Sequence, residues 1–245
     1  MYARKLKVPK RESLDDGWYT ILNHISLKRN QWPKDIEYYQ VCSIDPATDN
    51  FCLRIERWWL SGGNTGKVTP ITFIKTSFKS QDPTTTNLIY FRLIEFLSKY
   101  IPDLIQCHYI ISERQLHINY KAVRISTCTL ALIMNWCEGK GNYPIIIEVS
   151  PKLKYNQLEA PRGWNEKQLK TVWTPAKALE ILKKREDIFS SNIIEKAKKK
   201  DDYSDTVIQV EALFKLLELI PDFVVKLQIK NNSVEPEKRV LLKIK

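Results

Sequence analysis

Basic and aromatic residues are interleaved in two short segments of the first half of the chain. These segments contain, in order, Lys28, Arg29, Trp32, Arg54, Arg57, Trp58 and Trp59. Aromatic rings stack on unpaired bases while Lys and Arg follow the phosphates, so the pattern predicts nucleic-acid binding without base-specific readout. Alternatively, both tryptophans belong to a β core. Alternation with Arg54 favours Trp58 as the exposed ring of the pair.

Three further basic clusters are candidates for phosphate contacts. The first is an N-terminal arm, the second spans two helix ends, and the third is the outer face of a terminal hairpin. Their residues are Arg4, Lys5, Lys7, Lys10, Arg11, Lys184, Arg185, Lys196, Lys198, Lys199, Lys200, Lys226, Lys230, Arg239 and Lys243. A solvated tail or face explains each cluster equally well, and cations near a helix C-terminus also stabilise the helix dipole.

One acidic combination could support metal-dependent nuclease chemistry. Such chemistry needs two carboxylates that hold a cation beside a lysine. Asp103 follows Pro102, and Glu138 lies two residues before Lys140. Glu138 and Lys140 fall in a turn-like segment rather than on a strand, so a nuclease is the third of three functional alternatives.

Other catalytic and metal-binding patterns are missing from the sequence. It has no Cys-x-x-Cys, no histidine pair at i and i+4, and no phosphate-binding or nucleophile motif. Cys107 and His108 are neighbours on a predicted strand and therefore point to opposite faces, which favours a buried cysteine beside a partly exposed histidine. We therefore predict no metal site and no cofactor, and a binding protein rather than an enzyme.

The charge balance indicates the class of partner. The 245 residues include 39 Lys and Arg against 28 Asp and Glu, giving a net charge of +11. A positive field concentrates polyanions at the protein surface, so the first prediction is a protein that binds single-stranded RNA or DNA. The second is a self-associating matrix or scaffold subunit that meets acidic partners.

The hydrophobic periodicity predicts a β-rich first half. Strands are expected at 37–44, 50–60 and 67–78, joined by short turns into a meander. A helix is expected between the Pro83–Thr86 region and Pro102. A second hairpin is predicted with its turn at Glu113 and Arg114. The ten residues from Thr127 to Trp136 favour a further helix.

The second half predicts three helices followed by a hairpin. This order resembles that of a winged-helix module, although the third helix is too apolar and acidic to enter a DNA groove. We expect an α+β fold with a β-rich domain at 1–150, a linker at 151–164 and a helical domain at 165–245. No signal peptide or transmembrane run is recognised, and five cysteines suggest reduced thiols, so a cytoplasmic or nuclear location is expected.

Overall fold

The computed structural model describes residues 18–22, 36–79 and 88–217. Its six strands are β1 (Tyr19–Ile21), β2 (Tyr38–Asp45), β3 (Phe51–Trp59), β4 (Val68–Thr76), β5 (Tyr109–Glu113) and β6 (Ile145–Val149). The helices of the first half are α1 (Leu88–Ser98), α2 (Ile101–Leu104) and α3 (Tyr120–Glu138). Those that follow are α4 (Leu153–Gln157), α5 (Glu166–Gln168), α6 (Thr174–Lys184), α7 (Ile188–Lys196) and α8 (Asp201–Leu216).

All six strands form one mixed sheet in the order β1-β6-β5-β2-β3-β4. Strands β2, β3 and β4 are the predicted antiparallel meander. Strand β5 pairs parallel with β2, and β6 pairs parallel with β5. The mixed α+β class is therefore confirmed. None of the helices in the described ranges is long and apolar enough to span a membrane.

Helices cover both faces of the sheet because the central strands are apolar on both sides. In β3, Phe51, Leu53 and Ile55 pack with residues of α1 and α3 on one face. Cys52 and Trp58 point to the other face, where α6 and α8 supply Ala178 and Leu213, among others. The predicted alternation of β3 is confirmed, and so is the expectation that the last helix belongs to the core.

The predicted second hairpin is wrong. Tyr109–Glu113 is a strand, but the segment after Arg114 leads into the 19-residue helix α3, which begins after Asn119. The side chain of Asn119 accepts a hydrogen bond from the Ala122 amide and caps that helix. The connection from β5 to β6 is therefore a parallel crossover through a helix rather than a tight turn.

The helical second half packs directly on the sheet. One buried cluster contains Tyr39 and Val149 from the strands together with Trp173, Ile181 and Leu213 from the later helices. The segment predicted as a linker contains the short helix α4, in which Leu153 and Lys154 are buried. The winged-helix resemblance is not confirmed, and its hairpin lies outside the described residues.

Candidate functional site

Two acidic residues lie side by side where two parallel strands end. Ile44 of β2 pairs with Ser112 of β5, so Asp45 and Glu113 are the next residues on adjacent strands. The connections from these strands leave in opposite directions, with β2 leading to β3 and β5 leading to β6. The carboxyl ends of strands at such a switch point are the usual ligand-binding position of open sheets.

Helix α8 adds two more carboxylates to this edge of the sheet. Asp202 and Asp205 are three residues apart in α8 and therefore share a helix face. Asp45, Glu113, Asp202 and Asp205 are called the carboxylate cluster below. Lys154 contacts both Glu113 and Asp205, and the hydrogen bond from Ser43 to Thr206 holds this part of α8 at the end of β2.

Polar contacts hold α8 against β2 close to Asp45. The Ser43 hydroxyl donates a hydrogen bond of 2.8 Å to the carbonyl of Thr206. The Gln209 amide donates to the Ser43 hydroxyl and, at 3.2 Å, to the Ile44 carbonyl. Because all these partners are buried, the contacts fix the helix relative to the end of the strand.

A buried lysine lies between two members of the cluster. The Lys154 ammonium is 2.7 Å from a carboxylate oxygen of Glu113 and 2.6 Å from one of Asp205. Burial alone would lower the pKa of Lys154, but Asp205 and Glu113 raise it above its ordinary value. Lys154 therefore remains a cation and compensates part of the cluster's negative charge.

The remaining negative charge is still unfavourable for the folded protein. Burial, followed by the charges of Glu113, Asp205 and Asp202, raises the pKa of Asp45 well above its ordinary value. Burial and Glu113 also raise the pKa of Asp205, to about 6, although Lys154 opposes them. Like charges held close together in a partly buried site are typical of functional carboxylates.

Further lysines surround the cluster on the solvent side. The Lys199 and Lys75 ammonium groups lie 2.6 Å and 3.3 Å from carboxylate oxygens of Asp202. The Lys170 ammonium lies 3.8 Å from a carboxylate oxygen of Asp201. The Lys170 and Lys199 side chains are 46% and 47% exposed, so both can also meet an anion from solvent.

The donor chemistry of the cluster suits a hard divalent cation. Carboxylate oxygens from different elements are the ligands that Mg²⁺, Mn²⁺ and Ca²⁺ prefer, and the cation would relieve their mutual repulsion. In the conformation of the described residues, no group of three or more Asp, Glu, His or Cys side chains is arranged to hold a metal ion. Because Lys154 binds both Glu113 and Asp205, a cation would compete with its ammonium for these oxygens.

Two of the sequence-predicted phosphate contacts are buried instead. The fully buried Arg54 guanidinium binds Glu56 and Asp187 and donates to the Ser190 hydroxyl. Arg185, whose side chain is 9% exposed, pairs with Glu56 and Glu211. In this conformation neither guanidinium is available to a nucleic acid, because both neutralise carboxylates between the sheet and the helices.

Trp58, expected to be the exposed ring of the pair, is half-buried and packed against its neighbours. Its ring packs against Phe214, with centroids 4.5 Å apart, and the Arg185 guanidinium lies 4.6 Å from the ring centre. Its indole N–H donates a hydrogen bond to Glu56. Alternation along β3 was predicted correctly, but the face that carries Trp58 is covered by α8.

The remaining candidate cations divide into described and undescribed residues. Five of these candidates are exposed lysines of the described part, namely Lys184, Lys196, Lys198, Lys199 and Lys200; Lys184 pairs with Glu180 and Lys199 with Asp202. The structure does not describe Arg4, Lys5, Lys7, Lys10, Arg11, Lys28, Arg29, Lys226, Lys230, Arg239 or Lys243. Arg57 is half-buried on the sheet face opposite Trp58.

The predicted nuclease residues do not lie on adjacent strands. Asp103 is in α2, before β5 begins, and Glu138 is the last residue of α3, followed by Lys140 in a turn. Both positions precede the amino ends of β5 and β6, whereas the carboxylate cluster is at the carboxyl ends. The geometry that the prediction required is therefore absent at these three residues.

The sequence interpretation missed the cluster although a signal was present. Asp45 directly follows the predicted strand 37–44, and Glu113 follows Ile110 and Ile111 after one serine. An acidic residue at the end of a buried strand is such a signal. Assigning Glu113 to a hairpin turn removed it from the strand end and hid its proximity to Asp45.

Comparisons with known proteins give structural similarity only. No family model and no curated protein matches the chain. The yeast mitochondrial Holliday junction resolvase Ydc2 is 16% identical with a TM-score of 0.49, over 85% of this chain and 90% of that one. Thermus thermophilus RuvC is 13% identical with a TM-score of 0.46, over 72% and 96%.

A second RuvC structure, in complex with a Holliday junction substrate, is also similar. It is 13% identical with a TM-score of 0.43, over 73% of this chain and 96% of that chain. All three TM-scores are below 0.5, so inferences about activity rest on the side chains of this protein.

Proposed function

We propose that this protein is a nuclease that hydrolyses phosphodiester bonds with a divalent cation held at the carboxylate cluster. The observation that carries the proposal is the convergence of Asp45, Glu113, Asp202 and Asp205 at the carboxyl ends of β2 and β5. The support comes from these residues and not from the similarity to the resolvases.

The chemistry divides between the cluster and the lysines beside it. A divalent cation at such oxygens supplies an activated water and stabilises charge on a phosphoryl group. Lys170 and Lys199 are placed to attract and orient the phosphate because their ammonium groups are half-exposed beside the acidic residues. Lys154 favours the ionised form of Asp205, because its ammonium lowers the pKa of Asp205 against the effect of burial.

A nucleic acid is the substrate that the charge of the chain favours. The net charge of +11 raises the local concentration of polyanions, and exposed lysines at 196–200 precede the helix that carries Asp202 and Asp205. Affinity should therefore fall with rising salt, with a log-log slope of about −0.7 per phosphate for single strands and about −0.9 for duplexes.

Cleavage of end-labelled DNA and RNA, both single-stranded and branched, tests the proposal. Wild-type protein with Mg²⁺ or Mn²⁺ should cut at least one of these substrates, and chelation should stop the reaction. Asp45→Asn and Asp205→Asn should each lower the rate by at least about 100-fold, since each removes a proposed cation ligand.

The matched control is Asp49→Asn. Asp49 lies four residues from Asp45 but is exposed in a surface pair with Lys79, so this variant should cleave like the wild type. Absence of cleavage with either metal, or equal cleavage by wild type and Asp45→Asn, would overturn the proposal.

The second candidate function is nucleic-acid binding without cleavage. It is favoured by the two contacts of Lys154, which already neutralise part of the cluster without a metal. Salt-dependent oligonucleotide binding without cleavage in any tested metal would support it over the nuclease.

A further inference from the structure

A second group of aromatic and cationic side chains lies on the sheet face opposite α8. Tyr38 of β2 is directly opposite Trp59 of β3, and Gln40 is opposite Arg57. Tyr38, Arg57 and Trp59 are each half-buried. Together they are called the aromatic patch below.

The patch lies where the helical cover of this face ends. Gln40 is buried and donates a hydrogen bond of 2.7 Å to the Asp103 carbonyl of α2. Beyond Gln40, Tyr38, Arg57 and Trp59 belong to neither buried hydrophobic cluster of the described residues. Their partial exposure therefore reflects a position at the border of the packed face.

The side chains of the patch hold one another in place. The Tyr38 and Trp59 rings meet edge to face, with centroids 5.0 Å apart. The Arg57 guanidinium lies 4.6 Å from the centre of the Tyr38 ring, and its Nε donates to the Gln40 amide oxygen at 3.0 Å. The Trp59 indole N–H donates to the Thr69 hydroxyl. These contacts fix the rings before any ligand binds, which lowers the entropy cost of stacking.

The charge of the patch is positive and not neutralised within it. Arg57 forms no ion pair with a carboxylate among the described residues, in contrast to Arg54 and Arg185. Lys67, which follows Trp59 after a short turn, is exposed as well. Burial lowers the pKa of the adjacent His108 to about 4, so at neutral pH His108 contributes no charge.

We propose that the aromatic patch binds unpaired nucleotides, with a base stacked on Trp59 or Tyr38 and its phosphate bound by Arg57. Stacking on a fixed aromatic ring beside a guanidinium is the common mode of single-strand binding. The choice of a nucleotide over a protein segment follows from the unneutralised Arg57 and from the net charge of the chain.

The patch is separate from the carboxylate cluster. Tyr38 and Asp45 are seven residues apart on β2, a separation of about 23 Å along a strand. The proposal rests on the proposed function only in taking nucleic acid as the ligand. Binding at the patch does not require the cluster or a divalent cation.

Oligonucleotide binding without divalent cation tests this inference. The probes are a labelled oligothymidine of about 12 nucleotides and an abasic strand of the same length, because the two differ in bases but not in phosphates. In EDTA the wild type should bind the thymidine strand more tightly. Trp59→Leu should lose about 5- to 150-fold of thymidine affinity with little change for the abasic strand.

Three further variants separate stacking from folding. Trp59→Phe should recover most of the thymidine affinity, because it restores a ring. Trp164→Leu replaces an exposed tryptophan elsewhere in the chain and should bind like the wild type. If Trp59→Leu fails to fold by circular dichroism, Arg57→Gln replaces it and should reduce the salt slope by about 0.7.

The outcomes distinguish this inference from the proposed nuclease. Equal binding of both probes by the wild type, or unchanged thymidine binding by folded Trp59→Leu and Arg57→Gln, would overturn the patch as a binding site. Cleavage that depends on Asp45 would then still stand. Trp59-dependent binding without any cleavage would support the patch and count against the nuclease.

Discussion

At the scale of single residues, the carboxylate cluster is a place where the fold holds unfavourable charge. Burial and three neighbouring carboxylates raise the pKa of Asp45, and the pKa of Asp205 is raised to about 6. Lys154 offsets part of this charge through two close contacts. Sites that keep such repulsion without a structural benefit commonly bind a ligand that removes it.

Asp45→Asn should make the metal-free protein more stable at neutral pH. A carboxyl whose pKa is raised in the folded state stabilises the fold below its unfolded pKa of about 3.9, and this contribution disappears as pH rises through the folded pKa. Asn carries no charge, so the variant should melt above the wild type near neutral pH, by about 2 to 4 °C for each kcal/mol.

Thermal melting in EDTA as a function of pH measures the difference in melting temperature between Asp45→Asn and the wild type. It should shrink as the pH falls below about 3.9, because Asp45 of the wild type then becomes protonated in the unfolded state as well as in the folded one. Asp49→Asn is the control, since it removes a carboxylate from an exposed surface pair. A lower melting temperature for Asp45→Asn at neutral pH would contradict the assigned repulsion.

Arg54 should be among the most sensitive positions of the chain. Its guanidinium compensates Glu56 and Asp187, both of which are buried. Arg54→Met should lower the free energy of unfolding by about 3 to 5 kcal/mol, because it leaves buried carboxylates without their partner.

Denaturant unfolding with Lys79→Met as the control measures this cost. Lys79 forms an exposed pair with Asp49 and should contribute no more than about 1 kcal/mol. Similar losses in the two variants would mean that the buried ion network does not hold the helices to the sheet.

At the scale of elements, the turn between α6 and α7 places Asp187 for its contact with Arg54. Glu186 has φ of 56°, and the amides of Glu186 and Asp187 donate to the carbonyls of Lys183 and Leu182. This is the Schellman arrangement, in which glycine is usual after the helix end. Asp187 then caps α7 by accepting a hydrogen bond from the Ser190 amide.

Glu186→Gly should therefore stabilise the protein, by up to about 1 kcal/mol, because glycine adopts a positive φ without steric cost. Glu195→Gly is the matched control, since Glu195 is exposed within α7 and should lose about 1 kcal/mol. Chemical denaturation should give a higher free energy of unfolding for Glu186→Gly and a lower one for Glu195→Gly. A loss of stability in both would show that the positive φ of Glu186 is not strained.

At the scale of the whole molecule, one sheet carries the carboxylate cluster at one end and the aromatic patch near the other. Strand β2 connects them, and α8 covers the face that lacks the patch. This layout predicts that cation binding and single-strand binding are separable.

Mn²⁺ should raise the melting temperature of the wild type, because a ligand that binds only the folded state stabilises it, by about 2.7 kcal/mol at 100 times its dissociation constant. Differential scanning calorimetry with and without the ion measures this effect. Asp45→Asn should show little shift, whereas Trp59→Leu should respond like the wild type. A shift of equal size in Asp45→Asn would place the cation elsewhere.

The sequence by itself determined the local elements whose cause is local. Period-two patterns and turns defined the meander β2 to β4, the Pro83–Thr86 region and Pro102 bracketed α1, and apolar content placed α8 in the core. The net charge also indicates a polyanionic class of partner, because it does not depend on how the chain folds.

Tertiary structure decided which side chains meet, because that depends on contacts between residues far apart in sequence. Asp45, Glu113 and Asp205 converge only through the parallel pairing of β2 with β5 and the packing of α8. Likewise, alternation gave Trp58 and Trp59 opposite faces, but only the position of α8 packed the first against Phe214 and left the second outside the buried clusters of the described residues. A periodic pattern defines the two faces of a strand, whereas the rest of the chain determines which face is covered.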